Sequence, residues 1–528
     1  MREAQPAAEL IVLFCAIVPL AGWLLAVALR RRALAWTWAL FALVPAIVLL
    51  SVAPALALGL LGTSVRASRL GARWHAHDLI VGRDVAEHAN ARLTITGAVK
   101  RARLNRRARR RDWLIDGQLL VGRSDARYPI AIPVGRASGS HALILGATGS
   151  GKTVSQTWIA GRLIEHGHGA IVVDPKGDPT LQRELRRLAS VAHRPLLEWT
   201  PAGPCAYNPY ASGADSEIAD KALAGEVFTE PHYLRQAQRY LGHAVRAMHA
   251  AEIPVTVPAL MDHLQPIRLE VTARKLHPKD AEPLNDYLDS LTDRQRRDLS
   301  GVRDRLSILA ESDVRSWFDP ECAPVIDLRS AVRERAIVYF ALDADRRPLL
   351  AQMVAAALVS DLVTLAAHMQ QQPIPTVVLI DEFSALAAGH VGRLFARARS
   401  AGMSLLLATQ ELAGLNAAAS GLRDQVLGNV EAVIAHRQNV PESAETIARV
   451  ASSEPVWLTS QQTEEQPGRY GLTGRGNRKR DYDYRVHPSL IQQLATGRAL
   501  VVTPGRQQRP TITNMHHPRE ATNATSHA

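Results

Sequence analysis

The chain has 528 residues, more than one compact core accommodates, so about two to four domains are expected. Its formal net charge is +12, and its three cysteines, Cys15, Cys205 and Cys322, are too scattered for a disulfide framework or a zinc cluster. The positive excess sits in the flanks: residues 64–140 hold 16 Lys/Arg against 6 Asp/Glu, and residues 466–528 hold 10 against 3. Basic flanks around a mildly acidic middle suit nucleic acid or an anionic leaflet, and charge alone does not choose between them.

Leu10–Leu29 is an uncharged apolar run of about one membrane thickness. Arg30, Arg31 and Arg32 follow, then a second uncharged run, Ala33–Gly62, interrupted by Pro45 and Pro54. Little positive charge precedes the first run, which disfavours a signal peptide. Two transmembrane helices over residues 1–63 are expected. Positive charge flanks both ends of the second run (Arg30–Arg32, then Arg66, Arg69 and Arg73), so the positive-inside rule gives no orientation. If the long segment after the second run is cytoplasmic, the three-Arg loop lies outside; a partly re-entrant second run is the alternative. A basic juxtamembrane segment, 64–112, contains Lys100–Arg111 with eight positive charges in twelve residues. That segment reads either as a lipid-facing stretch or as a phosphate-contacting patch.

Short alternating runs at Trp113–Leu120 and Tyr128–Val134 predict antiparallel strands. Apolar Ala142–Leu145 predicts a buried strand feeding Gly146-Ala147-Thr148-Gly149-Ser150-Gly151-Lys152-Thr153, a G-x-x-x-x-G-K-T phosphate loop. Its glycines let several backbone N–H groups converge on one phosphate, and the helix that follows presents its positive end to the same anion. Lys152 is placed on the β- and γ-phosphates of ATP and the Thr153 hydroxyl on Mg²⁺. A second strand, Ala170–Val173, ends in Asp174-Pro175-Lys176-Gly177-Asp178, where Asp174 and Lys176 are candidate nucleotide contacts. From about 215 to 330 strand patterns vanish and charged helical periodicity takes over, as in Glu230–Ala251 and Asp286–Leu309.

Strands resume at Ala336–Leu342 and Val377–Ile380, the second delivering Asp381 and Glu382 at its end. Asp381 is expected to hold the Mg²⁺ shell, and Glu382 to polarise the attacking water. Further strands follow at Ser404–Ala408, Ala432–Ala435 and Ala499–Val502, with Leu349–His368 among the helices between them. This alternation predicts an α/β fold with a mainly parallel sheet and an all-α insertion. Ser460–Asp483 reads as an exposed Gly/Gln/Arg-rich loop, and the chain end as a disordered tail.

The whole set, in this order, resembles the type IV coupling proteins, the TraD/TraG-like conjugative ATPases of the FtsK/HerA group. The matching stretches are the phosphate loop, GARWH at Gly71–His75, VVDPKGD at Val172–Asp178, YNPY at Tyr207–Tyr210, LIDEF at Leu379–Phe383 and LLLATQ at Leu405–Gln410. The resemblance implies a RecA-like motor in two parts, 113–214 and 331–508, around an all-α insertion at 215–330, with a tail at 509–528. It implies that Gln410 senses the γ-phosphate, and that Arg399 acts in trans on a neighbour's ATP, with Arg393 and Arg397 as competitors. It further implies a homo-hexamer in the bacterial inner membrane with its motor cytoplasmic. The partners implied are DNA, a relaxase and type IV secretion channel components. An FtsK-like duplex pump and a protein-effector adaptor are the alternatives. The short span-connecting loop, the Lys100–Arg111 segment and the Gly/Arg stretch near Arg475 depart from the family pattern.

Overall fold

A computed structural model describes residues 17–29, 36–80, 102–103, 106–107, 112–125, 127–135, 138–224, 228, 230–383, 388–466, 469–505 and 508–518. Lys100–Arg111 lies largely outside these residues. The chain divides into two compact units, Pro133–Val433 and a second made of Met1–Ile132 with Ile434–Ala528.

The second unit opens with three helical stretches. These are α1 (Ile17–Leu29), a 3₁₀ turn at Trp36–Ala42 leading into α2 (Leu43–Leu49), and α3 (Pro54–Ile80). The apolar run expected to be one spanning helix over 33–62 is therefore divided by a turn at 50–53, ahead of Pro54. Among the described residues one helix is long and apolar enough to cross a membrane, Pro348–Met369 of the other unit, and it is mostly buried.

In the same unit, β1 (Leu114–Ile115) and β2 (Gln118–Ser124) form a hairpin around Asp116 and Gly117, both left-handed. Asp-Gly is the favoured dipeptide for so tight a turn, which is why the single strand expected over 113–120 is two. β3 (Pro129–Pro133) pairs with β2. β13 (Arg498–Val502) and β14 (Thr511–Met515) continue the sheet antiparallel, β14 lying between β13 and β2. The segment from 509 is thus not wholly a tail. Its Thr-Ile-Thr alternation carries one aliphatic residue and becomes a strand only because β2, far upstream, supplies a partner. After β10 (Ala432–Ala435), β11 (Ser453–Gln466) and β12 (Arg469–Tyr484) form a separate two-stranded ribbon where an irregular loop was expected. Its glycines and glutamines gave no apolar alternation to read, so pairing with its own return strand decides the structure.

Pro133–Val433 is built on β4 (Ala142–Leu145), β5 (Gly169–Asp174), β6 (Leu196–Trp199), β7 (Ile337–Ala341), β8 (Thr376–Ile380) and β9 (Met403–Thr409). They run in the order β4-β9-β8-β5-β7-β6, every pair parallel. Five of the six strands are buried throughout or nearly so, which suits a parallel sheet covered on both faces. Helix α4 (Lys152–Glu165) follows β4. Between β6 and β7 the elements among the described residues are helices, α5 (Asp215–Leu223), α6 (Pro231–Ala250), α7 (Asp293–Ala310) and shorter ones, beside one isolated bridge between Ala206 and Val325. The helix expected to begin at Asp286 starts instead at Asp293. Asp286–Asp289 belong to the preceding helix, Pro278–Asp289, and Thr292 with Gln295 forms the capping box that starts α7.

Helix α8 (Pro348–Met369) is apolar on nearly all sides because it is a core helix of this unit. Its one buried acid, Asp361, accepts hydrogen bonds from Lys221 of α5 (2.7 Å) and the Tyr207 hydroxyl (2.6 Å). Asn208 donates to the Val255 carbonyl (2.9 Å) and accepts from the Tyr210 amide (3.1 Å). The Tyr207–Tyr210 signature is thus a buried knot that fastens α5 and the start of the helical insertion to the core.

Candidate nucleotide site

The phosphate loop joins β4 to α4, so its position follows from a buried strand and the first turn of a helix. Gly149 (φ 74°) and Gly151 (φ 106°) occupy the left-handed region, where a side chain would be strained. Gly151 is also the helix N-cap and has no side chain to satisfy the first N–H groups of α4. Those donors and the helix dipole are the elements of an anion site. Ser150 Oγ is buried and without a hydrogen-bond partner among the described residues. Thr148 and Gly149 are exposed at the mouth of the loop.

β8 lies two strands from β4, with β9 between them, so Asp381 and Glu382 leave the sheet beside the loop. Lys152 Nζ lies 3.1 Å from Glu382 Oε2 and 3.3 Å from Asp381 Oδ1. Gln156 of α4 donates to Asp381 Oδ1 (2.8 Å). Glu382 Oε1 accepts from the Thr409 hydroxyl (3.1 Å) and the Gln410 amide (3.3 Å), both at the end of β9. Burial pushes the Glu382 carboxyl up, but the Lys152 charge and these hydrogen bonds outweigh it and hold the pKa below the ordinary range. Glu382 is also left-handed (φ 41°), a conformation costing a non-glycine residue roughly 1 kcal/mol or more. The contacts from Lys152, Thr409 and Gln410 hold the carboxylate in that backbone position.

Lys152, Asp381, Glu382 and the backbone amide of Gln410 therefore meet at the carboxyl ends of β4, β8 and β9, with Thr153 next to Lys152 in the first turn of α4. Asp174 does not join them through its side chain. Its carboxylate accepts from the amides of Lys176 (3.0 Å), Gly177 (2.9 Å) and Asp178 (2.6 Å) and from the Tyr339 hydroxyl (2.9 Å). Burial pushes its pKa up, while these donors pull the other way. Asp174 thus folds its own turn, and Lys176 faces a separate cleft lined by Arg186, Tyr339, Arg346 and Arg347.

Arg399 lies at the opposite ends of the strands. Its carbonyl accepts from the Gly139 amide (2.9 Å), just ahead of β4, and its guanidinium pairs with Glu431 (2.5 Å) while staying well exposed. Arg393 and Arg397 are exposed on the preceding helix, α9 (Ala388–Ala398). Sequence reasoning missed Gln156 and Thr409. Helical spacing from Lys152 to Gln156 was a usable signal, because residues four apart share a face.

Fold and site together define a RecA-like core with a phosphate loop, in which the phosphate-loop strand β4, the acidic strand β8 and strand β9 run in parallel register. The chain belongs to the type IV secretion-system coupling proteins: residues 129–513 match the family described as the type IV secretion-system coupling protein DNA-binding domain. Solved structures agree on the fold. The bacterial conjugative coupling protein TrwBdeltaN70, in an unbound form, matches with a TM-score of 0.53 at 14% identity, over 77% of this chain and 90% of that one. TrwB in complex with ADP and Mg²⁺ gives 0.52 at 15% identity, over 71% and 85%. VirB4 of Thermoanaerobacter pseudethanolicus gives 0.50 at 12% identity, over 77% and 99%. Among curated proteins no sequence matches this chain.

Proposed function

We propose that the protein is a membrane-anchored, ATP-driven DNA translocase that couples a relaxase–DNA substrate to a type IV secretion channel. The observation carrying this reading is the meeting of Lys152, Asp381 and Glu382 at the end of a parallel sheet, within a chain of the coupling-protein family. TrwB, which has the same fold, is described in complex with ADP and Mg²⁺ and with non-hydrolysable GTP and ATP analogues.

In this reading the loop amides of Gly146–Thr153, with Ala147, Thr148 and Ser150 shaping the turn, wrap the phosphates, and Lys152 bridges the outer two. Thr153 and Asp381 would hold Mg²⁺, which when bound draws charge from the phosphate oxygens. Glu382 takes a proton from the attacking water, held in place by Thr409 and the Gln410 amide, while the Gln410 side chain orients that water. Arg399, remote from its own loop, is assigned to the neighbouring subunit's ATP, which requires a ring; we take that ring to be a homo-hexamer with DNA through its centre. The all-α insertion, 215–330, is assigned to substrate selection, residues 113–214 and 331–508 to the motor, and residues 1–63 to the membrane anchor.

The test is ATP hydrolysis by the full chain in detergent, with and without single- and double-stranded DNA. DNA should raise turnover, and the stimulation should fall steeply with salt, because phosphate contacts release counterions. ATPase activity indifferent to either DNA at low salt would sink the translocase reading and leave a protein-effector adaptor.

A further inference from the structure

Helix α4 carries a buried glutamine outside the phosphate-loop pattern. Gln156 lies one turn beyond Lys152 and is 0% exposed, on a helix whose other buried side chains include Trp158, Ile159 and Leu163. An apolar residue would fill such a place at less cost, because a buried amide must recover in hydrogen bonds what it loses in water. Gln156 recovers this on one side alone. Its Nε2 donates to Asp381 Oδ1 (2.8 Å), and its Oε1 is buried with no hydrogen-bond partner among the described residues. Charge fixes the orientation: turning the amide over would set its oxygen against the carboxylate.

Asp381 is held unevenly. Its Oδ1 accepts from Gln156 and also lies 3.3 Å from Lys152 Nζ, while its Oδ2 has no hydrogen-bond or ion-pair partner among the described residues. The Asp381 side chain is 15% exposed, so it is not sealed off. In the reading above Lys152 moves to the outer two phosphates. Gln156 then remains as the side chain on Oδ1. Its backbone belongs to the buried stretch of α4, residues 155–164, and not to the loop that the phosphates fill. The leftover atoms fit a hydrated divalent cation. Oδ2 is a carboxylate oxygen with no partner, and Gln156 Oε1 is an acceptor without a donor, of the kind that the hydration water of such a cation satisfies.

We propose that Gln156 is a positioning residue for the Mg²⁺ site: it clamps Oδ1 of Asp381, which leaves Oδ2 for the cation, and its own Oε1 accepts from the cation's hydration water. The inference deepens the nucleotide-site reading above and rests on Asp381 belonging to the metal shell. Outer partners of this kind fix the rotation of a metal-binding carboxylate, and their loss weakens the metal more than the rest of the ligand.

The test uses the full chain in detergent, loaded with ADP, with Mn²⁺ as the probe and the free ion read by its electron paramagnetic resonance. Gln156→Met keeps the length of the side chain and removes the amide. The expected result is a loss of about 10–100-fold in Mn²⁺ affinity, with ADP binding in EDTA unchanged. A side chain that merely packed α4 would weaken ADP with and without metal alike. Gln156→Asn keeps a buried amide one carbon short of Asp381; it should show the same loss, and it carries the test if Gln156→Met does not fold. Wild-type Mn²⁺ affinity in either folded variant overturns the proposal, and so does an equal loss of ADP affinity in EDTA. Asp381→Asn checks the reading beneath it: wild-type Mn²⁺ affinity in that variant would remove Asp381 from the metal shell, whatever Gln156 does.

Discussion

Two lysines in the same unit are held by carboxylates, and their surroundings differ. Lys221 is sealed between α5 and α8, its side chain 3% exposed and its partner Asp361 9%. It donates to Asp361 and to the carbonyls of Pro209 and Ser212, which uses all three of its protons. Lys152 is 13% exposed, lies against two carboxylates and has no carbonyl partner among the described residues, on a loop whose mouth is open. The first arrangement is complete. In the second, one cation is shared by two acids beside unpaired helix N–H groups, so an incoming phosphate can compete for it. A buried lysine–acid pair is thus a sign of structure when its hydrogen bonds are exhausted and of chemistry when they are not.

The sharpest way to separate the two is to remove each lysine's function. Lys152→Ala should abolish ATP hydrolysis while leaving the thermal unfolding midpoint nearly unchanged. Glu382→Gln should bind nucleotide yet turn over roughly 10²–10⁴-fold more slowly, because an amide cannot take a proton from water. Nucleotide binding by equilibrium titration and single-turnover hydrolysis distinguish the two variants. Near-normal turnover in Glu382→Gln would remove Glu382 from the base role.

Arg399 extends the comparison to a charge with one partner and wide exposure. As a finger acting in trans it should be worth about 10³-fold in turnover, with no effect on the binding of ATP by its own subunit. Mixing Lys152→Ala with Arg399→Ala should partly restore hydrolysis, because some interfaces join an intact loop to an intact finger. Full activity of Arg399→Ala alone would pass the role to Arg397 or Arg393.

The structural pair should show the reverse pattern. Asp361→Asn leaves Lys221 as a buried charge with neutral partners, at a cost of about 3–5 kcal/mol in urea denaturation. Activity per folded molecule should be retained. Replacing both, Lys221→Met with Asp361→Leu, should recover most of that loss, since no charge is then buried. A catalytic defect in Asp361→Asn at unchanged stability would mean that this pair, too, serves the chemistry.

The sequence carried the site better than it carried the knot beneath it. Walker-type spacing and the acidic strand end are local patterns, and each placed its residues within one turn or strand end of where they are found. Asp174 looked equally functional because it ends a strand at the same sheet edge. Its partners are three amides of its own turn and Tyr339 on a strand far downstream, a tertiary fact with no local signature. Lys221 and Asp361 are 140 residues apart and each reads as an ordinary helix charge. The parallel core was legible from apolar runs bounded by turns. β14, the β11–β12 ribbon and the divided apolar run at 36–65 were not, because their structures depend on a distant partner strand, on a return strand and on a prolyl turn.

The smallest expected effect concerns His141, at the start of β4 and close to Arg399. Its Nδ1 accepts from the Leu405 amide (3.2 Å), so the neutral ring carries its proton on Nε2, which has no hydrogen-bond partner among the described residues. Burial, and secondarily the Arg399 charge, lower its pKa to about 4. An unfolded histidine titrates near 6.5. Between those values the unfolded chain binds a proton that the native chain does not, so stability is full at neutral pH and is lost as pH falls from about 6.5 toward 4. The loss over that window is on the order of 3 kcal/mol. His141→Gln keeps an acceptor for Leu405 without titrating. The stability advantage of wild type over this variant should therefore shrink with acidification, measured by urea denaturation at pH 7, 5.5 and 4.5. A constant difference would show that His141 is already protonated in the native state or reaches water. Arg399→Ala should move the window upward only slightly, because burial is the larger cause. A large upward move would mean that the guanidinium, rather than the packed β-strands, keeps this ring neutral, and would tie the finger arginine to the stability of the sheet that carries the phosphate loop.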